Sequence, residues 1–143
     1  MDPDSPVPVL LLAVRDEYTD RQWLPPGRHW PFQPNVTGGL DLEAGGTWLA
    51  VNPGGEPGPG PMAACLLNGF GPSVPRQRRL SRGELPLIAA SGRRIDKLGC
   101  YDPFHLILAR PSGARVISWD GSTLEDQELP AGRVSCSTTA WTG

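Results

Sequence analysis

The sequence predicts an α+β fold, and three observations support this class. Short apolar runs bounded by Gly- and Pro-rich turns predict β-strands. One segment, which begins at Ser81, has the pattern of a helix. The predicted order is three strands, one helix and then an antiparallel meander, whereas parallel folds alternate strand and helix throughout. We therefore expect mostly antiparallel strands with little helix.

Length and composition indicate a single loop-rich domain. The 143 residues include 18 glycines and 17 prolines, which cluster between the apolar runs rather than replacing them. A chain of this length can bury enough surface to fold without disulfides. We therefore assign residues 1–143 to one domain.

The first apolar run, Val9–Val14, is predicted to be a strand buried on both faces, because it contains no polar residue. It ends in three consecutive charged residues, Arg15, Asp16 and Glu17. This triplet has two interpretations of similar weight. It is either a solvated strand end with an ordinary ion pair, or a charged group placed at the edge of a functional cleft.

The segment from Asp20 to Asn35 shows neither the hydrophobic period of a helix nor that of a strand, and it is predicted to be a long irregular loop. Its aromatic residues Trp23, Trp30 and Phe32 are expected to hold the loop against the body of the domain, because aromatic side chains bury a large area.

Two further strands are predicted at Thr47–Val51 and Met62–Leu67, the first after the turn residues Gly45 and Gly46. Asn68-Gly69 indicates a turn after the second of these strands. Gly45-Gly46-Thr47 is compatible either with backbone N–H groups presented to an anion or with a simple glycine turn into the strand.

The helix is predicted from a capping box, in which Ser81 and Glu84 each satisfy a free backbone N–H of the other. Pro86 lies in the first turns, and Gly92 is expected to end the helix. Four strands then form the meander: Phe104–Ala109, Arg115–Trp119, Leu124–Leu129 and Arg133–Ser137.

Charge and cysteine content exclude some functions. The net charge of −2 argues against nucleic acid as the main partner, and the basic cluster at Arg76, Arg78 and Arg79 is interpreted as a solvated loop. The three cysteines show no C-x-x-C spacing, which favours free thiols in a reducing compartment. No run is long enough for a membrane span, and no secretory signal precedes the first strand. A cytoplasmic location is expected.

Five segments together resemble the Asn-Arg-Asp-Glu (NRDE) family, whose eukaryotic members are called transport and Golgi organisation protein 2. Val9–Tyr18 resembles the family's apolar strand and its name-giving motif, although Val14 stands where the motif has Asn. Arg21 resembles the Arg of the family's Asp-Arg-Pro segment. The other matches, in the expected order, are Gly38–Val51, Ser81–Leu85 and Tyr101–Leu106.

This resemblance implies a layered sandwich like that of the N-terminal-nucleophile hydrolases. In that chemistry a terminal cysteine attacks an amide carbonyl. By position, Arg15 and Asp16 would orient the nucleophile, and Asn68 would donate to the oxyanion. Judged without the resemblance, Asn68 is more simply the first residue of an Asn-Gly turn.

Family members begin with Met-Cys and are longer, whereas this chain begins Met1-Asp2-Pro3 and ends at Gly143. The resemblance therefore predicts an incomplete domain, which lacks the first strand, the C-terminal part and the nucleophile. Cys65, within an apolar strand, is expected to have a raised pKa. We expect no hydrolase activity from the chain as it stands. An exposed sheet edge left by the missing strand would favour a dimer.

The first functional hypothesis is binding or trafficking of a small molecule, heme- or lipid-linked by resemblance. His29 or Arg28 would then contact a heme, and two histidines are too few for a His-rich metal site. For both histidines, a hydrogen-bonded structural role is the simpler interpretation. The alternatives are an amide or acyl hydrolase in the full-length product and an inactive truncated paralogue.

Overall fold

A computed structural model describes residues 1–55, 58–137 and 141–142, the last two by their backbone. Seven strands form one sheet in which every pairing is antiparallel, and the order in the sheet is the order in the chain. The prediction of an α+β fold with mostly antiparallel strands is therefore confirmed. The strands are β1 (Trp23–Gly27), β2 (Thr37–Asp41), β3 (Leu49–Asn52), β4 (Met62–Asn68), β5 (Phe104–Arg110), β6 (Gly113–Trp119) and β7 (Leu124–Leu129).

The remaining elements are short. The helix α1 (Leu85–Ala90) follows a 3₁₀ turn at Arg82–Glu84, and a second 3₁₀ turn spans Leu98–Cys100. β8 (Ser135–Cys136) and β9 (Trp141–Thr142) form a separate two-stranded sheet. Among the described residues, no helix combines the length and the apolar character that crossing a membrane requires.

The core lies mainly on the face of the sheet that α1 covers. Neighbouring residues of a strand point to opposite faces, so Leu106 and Leu108 pack with Leu85 of the helix, whereas Ile107 faces the other way. On that second face Ile107 packs with Cys65 and Val116. The central strands β4 and β5 are thus apolar on both faces.

The helix begins and ends where the sequence predicts, but its cap differs. Ser81 accepts a hydrogen bond from the backbone N–H of Gly83, while the carboxylate of Glu84 accepts one from the hydroxyl of Tyr101. The reciprocal capping box was therefore wrong, because a buried tyrosine competes for the glutamate. Gly92, at φ +71°, ends the helix as predicted, and its N–H donates to the carbonyl of Ala89 at 2.9 Å.

The prediction of a buried strand at Val9–Val14 was wrong. The segment belongs to no strand or helix, and Leu10 and Leu12 are 89% and 88% exposed. Leu11 instead packs against the Cys65 face of the sheet. An apolar run becomes a buried strand only where neighbouring strands pair with it, and here it lies across a sheet face.

The predicted loop from residue 20 to 35 contains β1, so that prediction was also incomplete. β1 includes two prolines and stands at the sheet edge, where a missing N–H costs no ladder bond. Trp30 packs against Val36 and Ala50 and donates to the carbonyl of Gly45 at 3.0 Å, as expected of an aromatic that holds the segment. Phe32 is 99% exposed, and its expected packing was wrong.

The other strand predictions hold within two residues at each end, with two exceptions. β2 was not predicted, because Gly38 and Gly39 hide the strand pattern. The last predicted strand, Arg133–Ser137, reduces to β8, which pairs with β9 and does not join the meander.

Candidate functional site

A cavity of about 960 Å³ lies between the segment 14–18, the end of β4 and the turn before α1. We call it the charged cavity, because four arginines and four carboxylates line it. Its lining residues are Val14, Arg15, Asp16, Glu17, Tyr18, Arg21, Asp41, Thr47, Trp48, Leu66, Leu67, Asn68, Arg79, Leu80, Ser81, Arg82, Gly83 and Asp102.

Arg21 is neutralised within this cavity. Its Nε lies 3.0 Å from Oδ2 of Asp41, and Nη2 donates to the same oxygen. Nη1 lies 3.1 Å from the carboxylate of Glu43, and Glu17 lies 3.7 Å from Nε. The hydrogen bond with Asp41 raises the pKa of Arg21, outweighing the lowering effect of burial. The guanidinium is therefore committed to three acidic partners.

Asp41 also organises the turn after β2. Its Oδ1 accepts the backbone N–H groups of Glu43 at 3.0 Å and Ala44 at 3.4 Å. Burial raises the pKa of Asp41, whereas the hydrogen bonds from Arg21 and from the backbone lower it. The hydrogen bonds together have the larger effect, so the pKa lies below its ordinary value. The Arg21–Asp41 pair thus links the residues before β1 to the end of β2.

Arg82 has a different environment. It is half-buried, and its Nη1 donates to the carbonyl of Pro103 at 2.6 Å. Within the described part of the chain it forms no ion pair. Burial lowers the pKa of Arg82; attraction to Asp102 opposes this effect, and repulsion from Arg79 adds to it. Asp102 itself pairs with Arg79 at 3.4 Å and accepts the N–H of Val74 at 2.7 Å.

The backbone around Arg82 is held by a close approach of two glycines. The N–H of Thr47 donates to the carbonyl of Gly83 at 2.8 Å. A Cβ added to Gly46 would lie 2.4 Å from the carbonyl carbon of Gly83, closer than real Cβ atoms come. The contact therefore requires glycine at position 46, and it positions the residue preceding Gly83, which is Arg82.

The three candidate catalytic residues, Arg15, Asp16 and Asn68, all line the charged cavity. Arg15 lies 4.0 Å above the ring of Trp48 and pairs with Glu17. Asp16 is exposed and forms no ion pair among the described residues, and Asn68 is the last, exposed residue of β4. The structure thus brings these residues to one cavity without joining Arg15 to Asp16.

The candidate heme-binding residues lie elsewhere. His29 Nε2 is 2.8 Å from the carbonyl oxygen of Pro25, and its ring meets that of Trp30 edge-on at 5.7 Å. Arg28 is exposed. Neither His29 nor Arg28 lines the charged cavity.

In the segment Gly45-Gly46-Thr47, two of the three backbone N–H groups donate to carbonyl groups of the protein. Gly45 donates to the carbonyl of Asp41 at 2.8 Å, and Thr47 donates to Gly83. The side chain of Thr47 is buried, and its hydroxyl donates to the carbonyl of Leu49 at 3.0 Å. Of the two interpretations, the glycine turn into a strand fits these bonds better.

A second, mostly apolar cavity of about 310 Å³ lies between the segment 9–14 and the Cys65 face of the sheet. Val14 and Leu67 line both this apolar cavity and the charged cavity. Burial raises the pKa of Cys65, and Cys136 adds to the effect, so the prediction of a raised thiol pKa is confirmed. The amino group of Met1 donates to Gly132 at 2.6 Å, beside the apolar cavity.

Sequence reasoning assigned no role to Arg79, Arg82 or Asp102. Arg79 was interpreted as part of a solvated basic loop, yet it lines the charged cavity and pairs with Asp102. The sequence contains only an indirect indication of their importance, because Arg82 lies in the motif-like segment Ser81–Leu85 and Asp102 in Tyr101–Leu106. In the described residues, no group of three or more His, Cys, Asp or Glu side chains could hold a metal ion.

All five motif-like segments contribute to the wall of the charged cavity. Their contributions are Val14–Tyr18 from the first, Arg21 from the second, Asp41, Thr47 and Trp48 from the third, Ser81–Gly83 from the fourth, and Asp102 from the fifth. Segments that are far apart in sequence thus meet at one site.

Comparison with known proteins gives one match. A family model described as Transport and Golgi organisation 2 matches residues 2–140. Neither the curated proteins nor the solved structures contain a match to this chain. Because the family model covers nearly all of the sequence, and so agrees with the resemblance read from the motifs, the chain belongs to the Transport and Golgi organisation 2 family.

Proposed function

We propose that this chain is a small-molecule-binding protein whose ligand lies in the charged cavity. The observation that carries the proposal is the convergence of all five motif-like segments on that cavity. A volume of about 960 Å³ is within the size of pockets that hold cofactors and drug-sized ligands. The heme- or lipid-linked roles implied by the family resemblance are specific forms of this proposal.

The lipid-linked form has a specific observation in its favour. The apolar cavity and the charged cavity share Val14 and Leu67, so an apolar site and a charged site lie side by side. An amphipathic acid would bury its hydrocarbon part against Cys65 and Ile107 and leave its acidic head among the arginines. We therefore propose a lipid-like acid as the ligand.

The heme-linked form has less support. Among its described lining residues the charged cavity contains no histidine or cysteine, which are the commonest iron ligands of heme proteins. His29 lies outside the cavity, and its Nε2 is within hydrogen-bond distance of a carbonyl oxygen. Of the residue types that bind heme iron, the described lining of the charged cavity contains a tyrosine, Tyr18, beside arginines that suit the carboxylates of a heme. Heme binding through His29 and Arg28 stays a prediction.

Hydrolysis of the N-terminal-nucleophile type has no candidate cysteine at this site among the residues that the structure describes. Cys65 is 3% exposed, its pKa is raised, and it lines the apolar cavity rather than the charged one. The grouping of Arg15, Asp16 and Asn68 would suit a hydrolase only in a product that places a cysteine beside them. We expect no turnover of simple amides or acyl esters by the pure protein.

We also propose a cytoplasmic location and a dimer for this chain. Measured turnover of an acyl ester would favour the hydrolase alternative instead, and a monomer in size-exclusion chromatography would contradict the dimer.

The test consists of two titrations. Binding of dodecanoate is measured by calorimetry, and binding of hemin is measured by the shift of its Soret band. Asn68→Trp places a large ring in the charged cavity, and Gln127→Trp makes a matched exchange at an exposed position of β7 outside it. We expect dodecanoate to bind the unchanged protein and Gln127→Trp with equal affinity, and Asn68→Trp at least about tenfold more weakly, a loss of about 1.4 kcal/mol.

Equal affinity in all three proteins would contradict a ligand site in the charged cavity. Absence of binding for both dodecanoate and hemin would remove the proposal. A Soret shift that His29→Ala abolishes and Asn68→Trp leaves unchanged would favour the heme-linked form at His29.

A further inference from the structure

The four arginines of the charged cavity differ in how their charges are balanced. Three of them pair with carboxylates: Arg15 with Glu17, Arg21 with Asp41, and Arg79 with Asp102. Arg82 forms no ion pair in the ranges that the structure describes. The cavity therefore contains one guanidinium that has no ion-pair partner among the described residues.

The unpaired charge of Arg82 is half-buried, which makes it unfavourable unless a partner is supplied. A guanidinium carries five N–H donors in a planar fork. Nη1 donates to the carbonyl of Pro103, and this neutral acceptor leaves the positive charge uncompensated. Asp102, whose carboxylate attracts Arg82, is already paired with Arg79 and accepts the N–H of Val74.

The position of Arg82 is fixed before any ligand arrives. On its C-terminal side Gly83 is in close contact with Gly46 and accepts the N–H of Thr47. On its N-terminal side the N–H of Leu80 donates to the carbonyl of Cys100 at 2.7 Å. These contacts hold the backbone, and the hydrogen bond from Nη1 to Pro103 restrains the guanidinium, so the side chain loses less conformational entropy when it binds an anion.

A second polar side chain accompanies Arg82. Asn68 and Arg82 together line the charged cavity and also a neighbouring cavity of about 410 Å³ beside Gly69 and Phe70. The side-chain amide of Asn68 is exposed, so it is free to turn a donor toward a ligand at the junction of the two cavities.

We infer that Arg82, assisted by Asn68, is the recognition site for an oxyanion head group, either a carboxylate or a phosphate monoester. Arg82 binds two oxygens of the head group through its guanidinium fork, and Asn68 donates to an oxygen of the same group. The inference rests on the proposed function, because the head group belongs to the amphipathic ligand of the charged cavity.

The experiment compares four probes on purified protein: dodecyl phosphate, dodecanoate, the neutral analogue dodecanol, and inorganic phosphate. Arg82→Gln removes the fork. Arg78→Gln removes an exposed arginine nearby in sequence that does not line the charged cavity. Circular dichroism establishes that each variant is folded, and Asn68→Ala is the second test should Arg82→Gln fail to fold.

We expect Arg82→Gln to weaken the two acidic amphiphiles by about tenfold or more, as loss of a charged hydrogen-bond donor does. Arg78→Gln should weaken them by less than about twofold, and dodecanol should bind all variants alike. Asn68→Ala should weaken the acids by a few-fold. Binding of inorganic phosphate that Arg82→Gln abolishes would support the same subsite and identify a free phosphate as a source of the anion.

Two results would overturn the inference alone. One is unchanged acid binding by Arg82→Gln, and the other is an equal loss for dodecanol, which would mean that Arg82 only supports the fold. If the unchanged protein binds none of the amphiphiles, the proposed function fails together with the inference.

Discussion

Two arginines from different motif-like segments, Arg21 and Arg82, line the same cavity but have opposite environments. Arg21 is surrounded by three carboxylates, and its pKa is raised. Arg82 donates to a carbonyl oxygen, and burial lowers its pKa. The same residue type thus provides a fold-stabilising contact in one place and an unsatisfied charge in the other.

The difference shows how to separate structural from functional charges. An ion pair that is complete within the protein contributes to folding and has no net attraction left for a ligand. A preorganised cation without an acidic partner carries an electrostatic cost, which a bound anion removes. Each variant below tests one side of this comparison, beginning with the largest expected effect.

Gly46→Ala tests whether backbone contact, rather than charge, holds the Arg82 side of the cavity. The added Cβ would lie 2.4 Å from the backbone of Gly83, which cannot move aside as a flexible side chain would. We expect a loss of about 3 kcal/mol in the free energy of unfolding, measured by urea denaturation.

Gly99→Ala is the matched control, because an added Cβ there meets no atom within 4 Å. It should change stability by less than about 0.5 kcal/mol. Equal stability of the Gly46→Ala and Gly99→Ala variants would contradict the close approach of Gly46 and Gly83.

Asp41→Asn tests the Arg21 side. The substitution keeps an oxygen for the N–H groups of Glu43 and Ala44 but removes the charge that pairs with Arg21. We expect a loss of about 2 kcal/mol at neutral pH. Asp126→Asn removes the partner of Arg115 in an exposed pair at 3.2 Å and should cost less than about 0.5 kcal/mol. If the two variants lose the same free energy of unfolding, the Arg21–Asp41 pair stabilises the fold no more than an exposed ion pair does.

The stabilisation that Asp41 provides should also depend on pH. The folded pKa of Asp41 lies below its ordinary value of 3.8, so its contribution is fully present above that value and is lost as pH falls through the folded pKa. The stability difference between unchanged protein and Asp41→Asn should therefore be constant near neutrality and shrink as the pH falls below 3.8 toward about 2. A difference that grows on acidification would contradict the lowered pKa.

Apart from the control variants, Arg82→Gln should have the smallest effect on folding. It removes a half-buried charge that has no ion-pair partner among the described residues, together with one hydrogen bond to the carbonyl of Pro103. We expect the free energy of unfolding to change by less than about 1 kcal/mol in the absence of ligand. A loss as large as that of Asp41→Asn would assign Arg82 to the structure instead of the ligand site.

Sequence patterns were sufficient for β4, β5 and β7 and for the end of the helix. These strands are continuous patterned runs bounded by clear turn residues, and Gly92 ends the helix for the reason that the pattern gives. The edge strand β1 was harder, because Pro25 and Pro26 are tolerated only where a strand has one neighbour. Periodicity does not reveal whether a neighbouring strand exists, which is why Val9–Val14 was assigned to the sheet.

For the cavity, the motif-like segments identified most of the chain positions but not their roles. Arg15, Asp16 and Asn68 were expected to lie together, and all three line the charged cavity. Arg82 could not be distinguished from Arg21 in the sequence, because the difference depends on acids supplied by distant segments. Only the folded arrangement shows that Asp41 meets Arg21 and that Asp102 is already paired with Arg79.

The most direct test of this contrast is ligand-induced stabilisation of three proteins by dodecyl phosphate, measured by urea unfolding. At a ligand concentration about one hundred times the dissociation constant, the unchanged protein should gain about 2.7 kcal/mol. Arg21→Gln should be less stable but gain the same amount, whereas Arg82→Gln should gain about 1.4 kcal/mol less. A full gain in Arg82→Gln together with a lost gain in Arg21→Gln would contradict the account.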